Sequence, residues 1–307
     1  MKNKCKRCRL QKCFQSGMNT DYLVRQQDKQ FKQQAIKQNR LKKISSDFEN
    51  DQQILTDIHR TCLSYIRSSY LTAIRSIPPA SSIISFKPSL NQTYSFYECT
   101  QLEHFTTVKL IHFLRLMPEF ECFNSQDRLS LVKYNLLPLI VLSDALAYDR
   151  TKDIFYDING NSIRTKDDEQ LAYGCRALYV LFYGSEETKT YTSNIRLILD
   201  SVDNDPMIIH LLMLVLIFLK GVSINDEQLW SINDCQHVFQ AHSKYVELLF
   251  RYLISKYSYS KAILRMTDIV YNIFRIQTAA RFYQQLVRIR AETNDIHPLI
   301  KSVLCLP

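Results

Sequence analysis

The chain holds 307 residues, 46% of them apolar and 22% charged, enough to bury a sizeable core in one large domain or two ordinary ones. Only 5 residues are glycine, and no G-x-G-x-x-G, Walker A or G-x-S-x-G sequence occurs, which excludes Rossmann, P-loop and α/β-hydrolase chemistry and disfavours turn-dense β architectures. The net charge of +9 is lopsided: residues 1–43 carry 13 Lys/Arg against 2 Asp/Glu, and the remaining 264 carry 26 against 28. A basic arm of this kind suits nucleic acid or an anionic surface, and also suits a solvated tail or nuclear-import segment.

In chain order, residues 1–18 are a compact Cys/Lys/Arg segment, and Cys5-x-x-Cys8 has the spacing of half a tetrahedral zinc site. Residues 19–47 read as a basic, Gln-rich hinge, since Leu23, Phe31, Ile36 and Leu41 make no core face. A first body helix is expected from Phe48 to Arg75, then a Ser/Pro-rich loop over 76–98. Leu102, Phe105, Val108, Leu110, Phe113, Leu114 and Met117 recur at helical steps, and Pro118 stops that helix. Asn124-Ser125-Gln126-Asp127 reads as a capped start of a helix reaching Tyr148, with Pro138 kinking or dividing it. Ile154–Ile158, Asn159-Gly160 and Asn161–Ile163 read as one small β-hairpin.

Helices are expected again from Asp168, with breaks near 184–190, 201–206 and 221–227, then long amphipathic helices over Leu229–Tyr257 and Lys261–Arg290. On the last of these, Ile263, Met266, Val270, Ile273, Gln277 and Ala280 share a face. The apolar run Met207–Leu219, interrupted by His210, is too short to cross a bilayer and reads as a buried core helix, so no membrane partner is expected. No apolar leader precedes the body, and the six cysteines beyond residue 60 read as reduced core residues of an intracellular protein.

Two stretches carry a resemblance. Lys4-Cys5-Lys6-Arg7-Cys8-Arg9-Leu10-Gln11-Lys12-Cys13, followed by Gly17-Met18, resembles the close of the second zinc finger in nuclear hormone receptors, C-x2-C-R-x-x-K-C-x3-G-M. Arg115-Leu116-Met117-Pro118-Glu119-Phe120, then Asp127-Arg128-Leu129-Ser130-Leu131-Val132-Lys133, resembles the signature of that family's ligand-binding domain, with Arg128 in place of a Gln. Arg265 in Leu264-Arg265-Met266, and Pro298–Leu304, fit its penultimate and last helices. The resemblance covers residues 1–18 and roughly 48–307.

The resemblance implies an all-α, three-layer helical sandwich with one small β-hairpin over 48–307, and a remnant of the zinc-finger DNA-binding domain at 1–18. It implies Cys5 and Cys8 as two zinc ligands, with Cys13 a family cysteine that is not a ligand. It implies Arg7, Arg9 and Lys12 as contacts to DNA phosphates. Because the first finger and two further ligands are missing from this sequence, the segment is expected to be unfolded or only nascently helical, and DNA binding by this chain is disfavoured.

In the body, the resemblance implies a small apolar ligand and a co-regulator helix in a groove, with Arg115 and Lys133 as cations and Ser302 where the family has a Glu. It implies homo- or heterodimers through the Lys261–Arg290 helix. Where retinoid-type receptors place an Arg for a ligand carboxylate, this chain has Ala147, and Arg150 is close but out of register, so an acid ligand is disfavoured. The expected function is transcription regulation in the nucleus; the alternative is a DNA-independent protein that dimerises with and modulates full-length receptors. An enzyme is not expected, because Asp167-Asp168-Glu169 and the seven His offer no metal or triad spacing.

Overall fold

A computed structural model describes residues 5–17, 33–36, 38–39, 54–78, 96–158, 164–219, 232–291 and 296–304. Most of the 19–47 hinge and of the 76–98 loop, the 159–163 half of the expected hairpin and the 221–227 break lie outside them. By contacts the chain divides into Met1–Gln53 and Ile54–Pro307.

In the first unit, α1 spans Lys6–Gln15. The Cys5 sulfur caps it by accepting from the Cys8 N–H at 3.4 Å, and Gly17, at φ 89°, follows its C-terminal Ser16. None of its 10 residues is buried. The segment is thus helical, with no apolar face packed to hold it, and isolated helices of this length are marginal in water.

The second unit is all-α apart from one two-stranded sheet among its described residues. Its first helix, α2, spans Asp57–Arg75. Thr56 and His59 form a capping box that fixes this start nine residues beyond the expected Phe48. Leu63, Ile66, Tyr70, Ala73 and Ile74 supply its buried stripe at helical spacing. Helix α3, Phe96–Arg115, packs on α2. Pro118 ends the pattern as expected and also opens the single turn α4, Pro118–Glu121, since its missing N–H costs nothing at a first helical position.

Asn124 caps α5, Ser125–Ala147, by accepting from the Asp127 N–H at 2.9 Å. The helix runs on through Pro138, which is buried, so the proline neither ends nor divides it. By length and apolar content α5 passes for a membrane span, but 72% of the relevant window is buried inside the fold, as in the core helix of a globular domain. Asp127 is fully buried. It accepts from the Asn233 N–H (2.8 Å), the Asn233 side-chain amide (3.1 Å) and the Asp234 N–H (3.2 Å). One carboxylate thereby ties the start of α5 to the start of α9, Cys235–Lys256, whose N-cap is Asp234.

Strand β2, Ile154–Phe155, pairs with the preceding β1, Tyr148–Asp149; the expected pairing across Asn159-Gly160 lies outside the described residues. Asp149 makes the turn by accepting from the Thr151 N–H (2.8 Å), its hydroxyl (2.6 Å) and the Lys152 N–H (3.2 Å), an Asx turn that an Asn-Gly search overlooks. Asp153 closes it at φ 56° and is held there by Arg176 (2.6 Å) and Arg196 (2.9 Å).

Helix α6, Lys166–Tyr183, starts at a Thr165–Asp168 capping box. Gly184 alone, at φ 100°, separates it from α7, Ser185–Ser201, so the expected break at 184–190 shrinks to one residue. Helix α8, Pro206–Ile217, is buried from Ile208 through Ile217, as the apolar run suggested. Its last turn is tied to α5 by the Asn135 amide donating to the Ile217 carbonyl at 2.9 Å.

Helices α5 and α8 are the innermost. Helix α8 packs on α2, α5 and α9, and α5 also touches α3, α7 and the long α10, Tyr259–Ala291. The last helix, α11, Pro298–Val303, packs on α3 and α5. Of the cysteines expected in the core, only Cys175 is buried; Cys62 is half-buried, and Cys122 and Cys235 sit exposed at helix ends. The side chain of Cys99, and Cys305, lie outside the described residues.

Candidate functional site

Helices α3, α5, α6, α7 and α10, with β2, enclose a narrow, mostly apolar cavity of about 560 Å³ of atom-free space, its mouth included. Its wall joins Glu103 of α3, Ile140, Val141 and Asp144 of α5, Phe155 of β2, Tyr179 and Tyr183 of α6, Glu187, Thr188 and Tyr191 of α7, and Phe282, Tyr283 and Leu286 of α10. A second lobe shares Glu103, Ile140, Asp144, Phe155 and Tyr179 and extends to Thr106, Ala147, Asp157 and Cys175.

The lobes meet at two carboxyls. Glu103 is 5% exposed; its Oε1 accepts from Tyr179 at 3.4 Å and its Oε2 has no hydrogen-bond partner. The Tyr283 hydroxyl approaches this carboxyl without standard hydrogen-bond geometry. Burial pushes Glu103 up to about 8, with the nearby Asp144 charge adding to the rise. Asp144 accepts from the Tyr191 hydroxyl at 2.5 Å. The residue keeps some accessible surface on the cavity, but its carboxyl is enclosed, and burial raises it to about 7. Glu103 is thus largely protonated near neutrality, and Asp144 is divided between its acid and its carboxylate. Burial likewise drives the Cys175 thiol up to about 12, so it stays a thiol.

The ring packing is continuous. Tyr179 and Tyr183 stack at 5.6 Å, Tyr183 meets Tyr283 at 6.1 Å, and Phe155 meets Tyr191 at 6.2 Å. Beside the second lobe, the buried Lys109 ammonium pairs with Asp157 at 2.6 Å and donates to the Ile158 carbonyl at 2.8 Å, which secures the strand-end segment to α3.

Of the residues singled out in the sequence, Ala147 lines the second lobe, whereas Arg150 pairs with Asp200 at 2.7 Å on the surface. Arg115 is exposed at the end of α3 and bridges to Glu121 at 3.2 Å, a carboxylate that also pairs with Arg128. Lys133 is half-buried on α5, and Ser302 is exposed on α11. The start of α11 is anchored near the other end of α3: the His297 N–H donates to Thr100 Oγ1 at 3.3 Å, and the His297 ring stacks on His104 at 3.8 Å. Arg115 lies eleven residues past His104, about 16 Å along the helix axis.

Arg265 pairs with Asp203 at 2.6 Å, which holds the turn between α7 and α8, where Asp203 and Asn204 are both left-handed (φ 51° and 55°). On α10 the anticipated face divides: Ile263 and Val270 are exposed, but Gln277 and Ala280 are buried within the domain. The outward apolar stripe runs instead through Leu264, Tyr271 and Phe274.

In the first unit, Cys5 and Cys8 bring their sulfurs to 3.2 Å. The Cys8 N–H lowers the Cys5 thiol, whereas the hydrogen bond to Cys5 raises Cys8. The pair fits half of a tetrahedral thiolate site; among the described residues no third Cys, His, Asp or Glu joins it. Arg7, Arg9 and Lys12 are all exposed, but helical geometry puts only Arg9 and Lys12 on a common face, with Arg7 roughly opposite.

A scan of protein-family models finds none that matches the chain, and a search of the curated proteins finds no match either.

Proposed function

We propose that the chain is a nuclear hormone receptor-type transcription regulator acting in the nucleus, whose helical unit binds a small, mostly apolar ligand and a co-regulator helix. The observation that carries this reading is the cavity between α3, α5, α6, α7 and α10, in a chain whose 115–133 stretch resembles the family's ligand-binding signature. The helix order supports the three-layer sandwich expected of that family: α5 and α8 lie inside, and α2, α3, α9 and α10 pack on them. The small sheet follows α5, where the family carries its β-turn.

The co-regulator surface is read between Arg115 and Lys133 at one end and α11 at the other. A separation of about 16 Å along α3 matches a two- to three-turn amphipathic helix, with cations at its C-terminus and the α11 side chain at its N-terminus. Ser302 offers a hydroxyl cap there and no charge, so recruitment is weak. Titrating an LxxLL-type peptide into wild-type and Ser302→Glu chains tests this. The Glu variant is expected to bind several-fold tighter, and equal binding refutes the assigned groove.

A second reading is favoured by Leu264, Tyr271 and Phe274, each at least 60% exposed along one face of α10. Such a stripe suits a helical partner, and the chain then acts as a DNA-independent dimerisation partner that modulates full-length receptors. In either reading Cys5 and Cys8 supply half of a zinc site, which when loaded would brace α1, and Arg9 and Lys12 face a phosphate backbone together. Zinc-dependent, sequence-specific binding to a response-element duplex distinguishes the first reading from the second.

A further inference from the structure

The cavity is more acidic than an apolar ligand requires. Glu103, Asp144 and Glu187 all line it, and among its described lining residues there is no Lys, Arg or His. The one ammonium beside it, Lys109, is committed to Asp157. Glu103 is buried and lines both lobes, and its Oε2 has no hydrogen-bond partner. Burying a carboxyl oxygen without a donor is unfavourable unless a ligand supplies one.

We propose that this cavity takes a small organic amine, its cationic nitrogen between the Glu103 and Asp144 carboxyls and its apolar body against Phe155, Tyr183 and Leu286. The proposal specifies the ligand class of the site proposed above, and so rests on the reading that the cavity is a ligand site. An ammonium brings the donors that Glu103 Oε2 lacks, and the stacked rings of Tyr179 and Tyr183 present π faces that attract a cation. A neutral apolar ligand leaves that oxygen desolvated and unpaired. An anion meets no base there, and the ionised share of the carboxyls repels it.

The titratable groups lining the two lobes with these acids are Tyr156 and Asp157 just past β2, Cys175, Tyr179 and Tyr183 from α6, Glu187 and Tyr191 from α7, and Tyr283 from α10, and none is a base. Because the empty cavity holds Glu103 largely protonated near neutrality and Asp144 only in part, entry of a cation drives the remaining protons off, chiefly that of Glu103. The carboxyl O–H breaks, its proton passes to solvent, and the carboxylate keeps the electron pair that receives the ammonium. Affinity therefore rises with pH until the amine itself deprotonates, near the usual amine value of about 10.

The test is isothermal titration of the full chain at pH 7.5 with 2-phenylethylamine, 2-phenylethanol and phenylacetate, which share a ring and differ in charge. The amine is expected to bind at least tenfold tighter than the alcohol, to release protons when compared in buffers of different ionisation enthalpy, and to bind tighter at pH 8 than at pH 6. Phenylacetate is expected not to bind. Glu103→Gln and Asp144→Asn are expected to erase the preference for the amine and spare the alcohol. Amine and alcohol binding alike, the absence of proton release, or the preference surviving in both variants overturns the amine while leaving a ligand site. If none of the three binds, the amine proposal and the ligand-site reading fall together.

Discussion

Glu103 makes stability depend on pH in a direction unusual for a carboxylate. Its folded-state value lies near 8 against 4.5 when free, and Asp144 lies near 7 against 3.8. The folded chain therefore binds more protons than the unfolded one between those limits. Stability is fully present below the free values and is lost as pH rises through the folded ones. Buried His210 works the other way: burial lowers it to about 4 from 6.5, so its contribution is present above pH 6.5 and is lost as pH falls through 4. Between pH 6.5 and 8 the tail of the histidine titration, from His210 and from His104 and His242, which burial also lowers, raises stability slightly, and the two acids dominate. Over that window linkage predicts a loss of roughly 2 kcal/mol in the wild type, most of it from Glu103.

Glu103→Gln keeps the shape and removes the titration, so its stability is expected to fall by well under half as much, and the double variant with Asp144→Asn to be nearly flat. Urea unfolding at pH 6.5, 7, 7.5 and 8, at fixed ionic strength and without amine buffers, reads these differences directly. Stabilisation of Glu103→Gln over wild type that grows with pH is the signature. A wild-type curve flat across the window, or a Glu103→Gln curve as steep as wild type, shows that the carboxyl is hydrated or paired and refutes the reasoning.

Two further outcomes follow from buried charge. Lys109→Ala removes the buried ammonium that pairs with Asp157 and is expected to cost roughly 3 kcal/mol in urea unfolding, whereas Lys109→Met with Asp157→Leu costs much less; similar losses in both point to packing instead. Asp127→Ala leaves the Asn233 and Asp234 donors unmet and is expected to cost roughly 3 kcal/mol, with hydrogen exchange rising first at the N-terminus of α9. Unchanged exchange there places the effect elsewhere.

Helices were legible where their signals were local. The 102–117 periodicity, the Asn124 cap, the Pro118 stop and the buried 207–219 run all reappear, because each needs only neighbours within a few residues. What was missed was in one case a short-range side-chain turn and in the other a packing decided by contacts distant in sequence. Asp149, a lone acid after an apolar helix, gave no warning that it would organise the turn pairing β1 with β2. Gln277 and Ala280 belong to a face whose sequence suits a dimer or packing within the domain alike, and which part of α10 turns inward is decided by α5 and α7.

The cavity acids left a trace that periodicity alone passes over. Asp144 is the sole charge in the run from Leu136 to Tyr148, and Glu103 sits inside a core-facing helix. An isolated acid in an apolar run is the pattern to search for. The tyrosines that line the cavity come from three separate helices, and no one-dimensional signal joins them.

The cysteine pair permits a quantitative argument about the basic arm. A complete structural zinc site in a finger peptide binds with about 10–16 kcal/mol, and two of four thiolates supply about half of that. Roughly 5–8 kcal/mol corresponds to zinc dissociation constants between about 200 and 1 μM. Cobalt, which such a site holds more weakly than zinc, is thus expected to bind no tighter than that in a titration of the full chain, with a weak thiolate charge-transfer band and little gain in helix, since α1 already forms and buries nothing. Cys5→Ser or Cys8→Ser alone is expected to abolish the band, and Cys13→Ser to leave it unchanged. Nanomolar binding with a tetrahedral cobalt spectrum demands two more donors. The arm would then be a completed metal module able to present Arg9 and Lys12 to a phosphate backbone, in place of a bare helix carrying half a site.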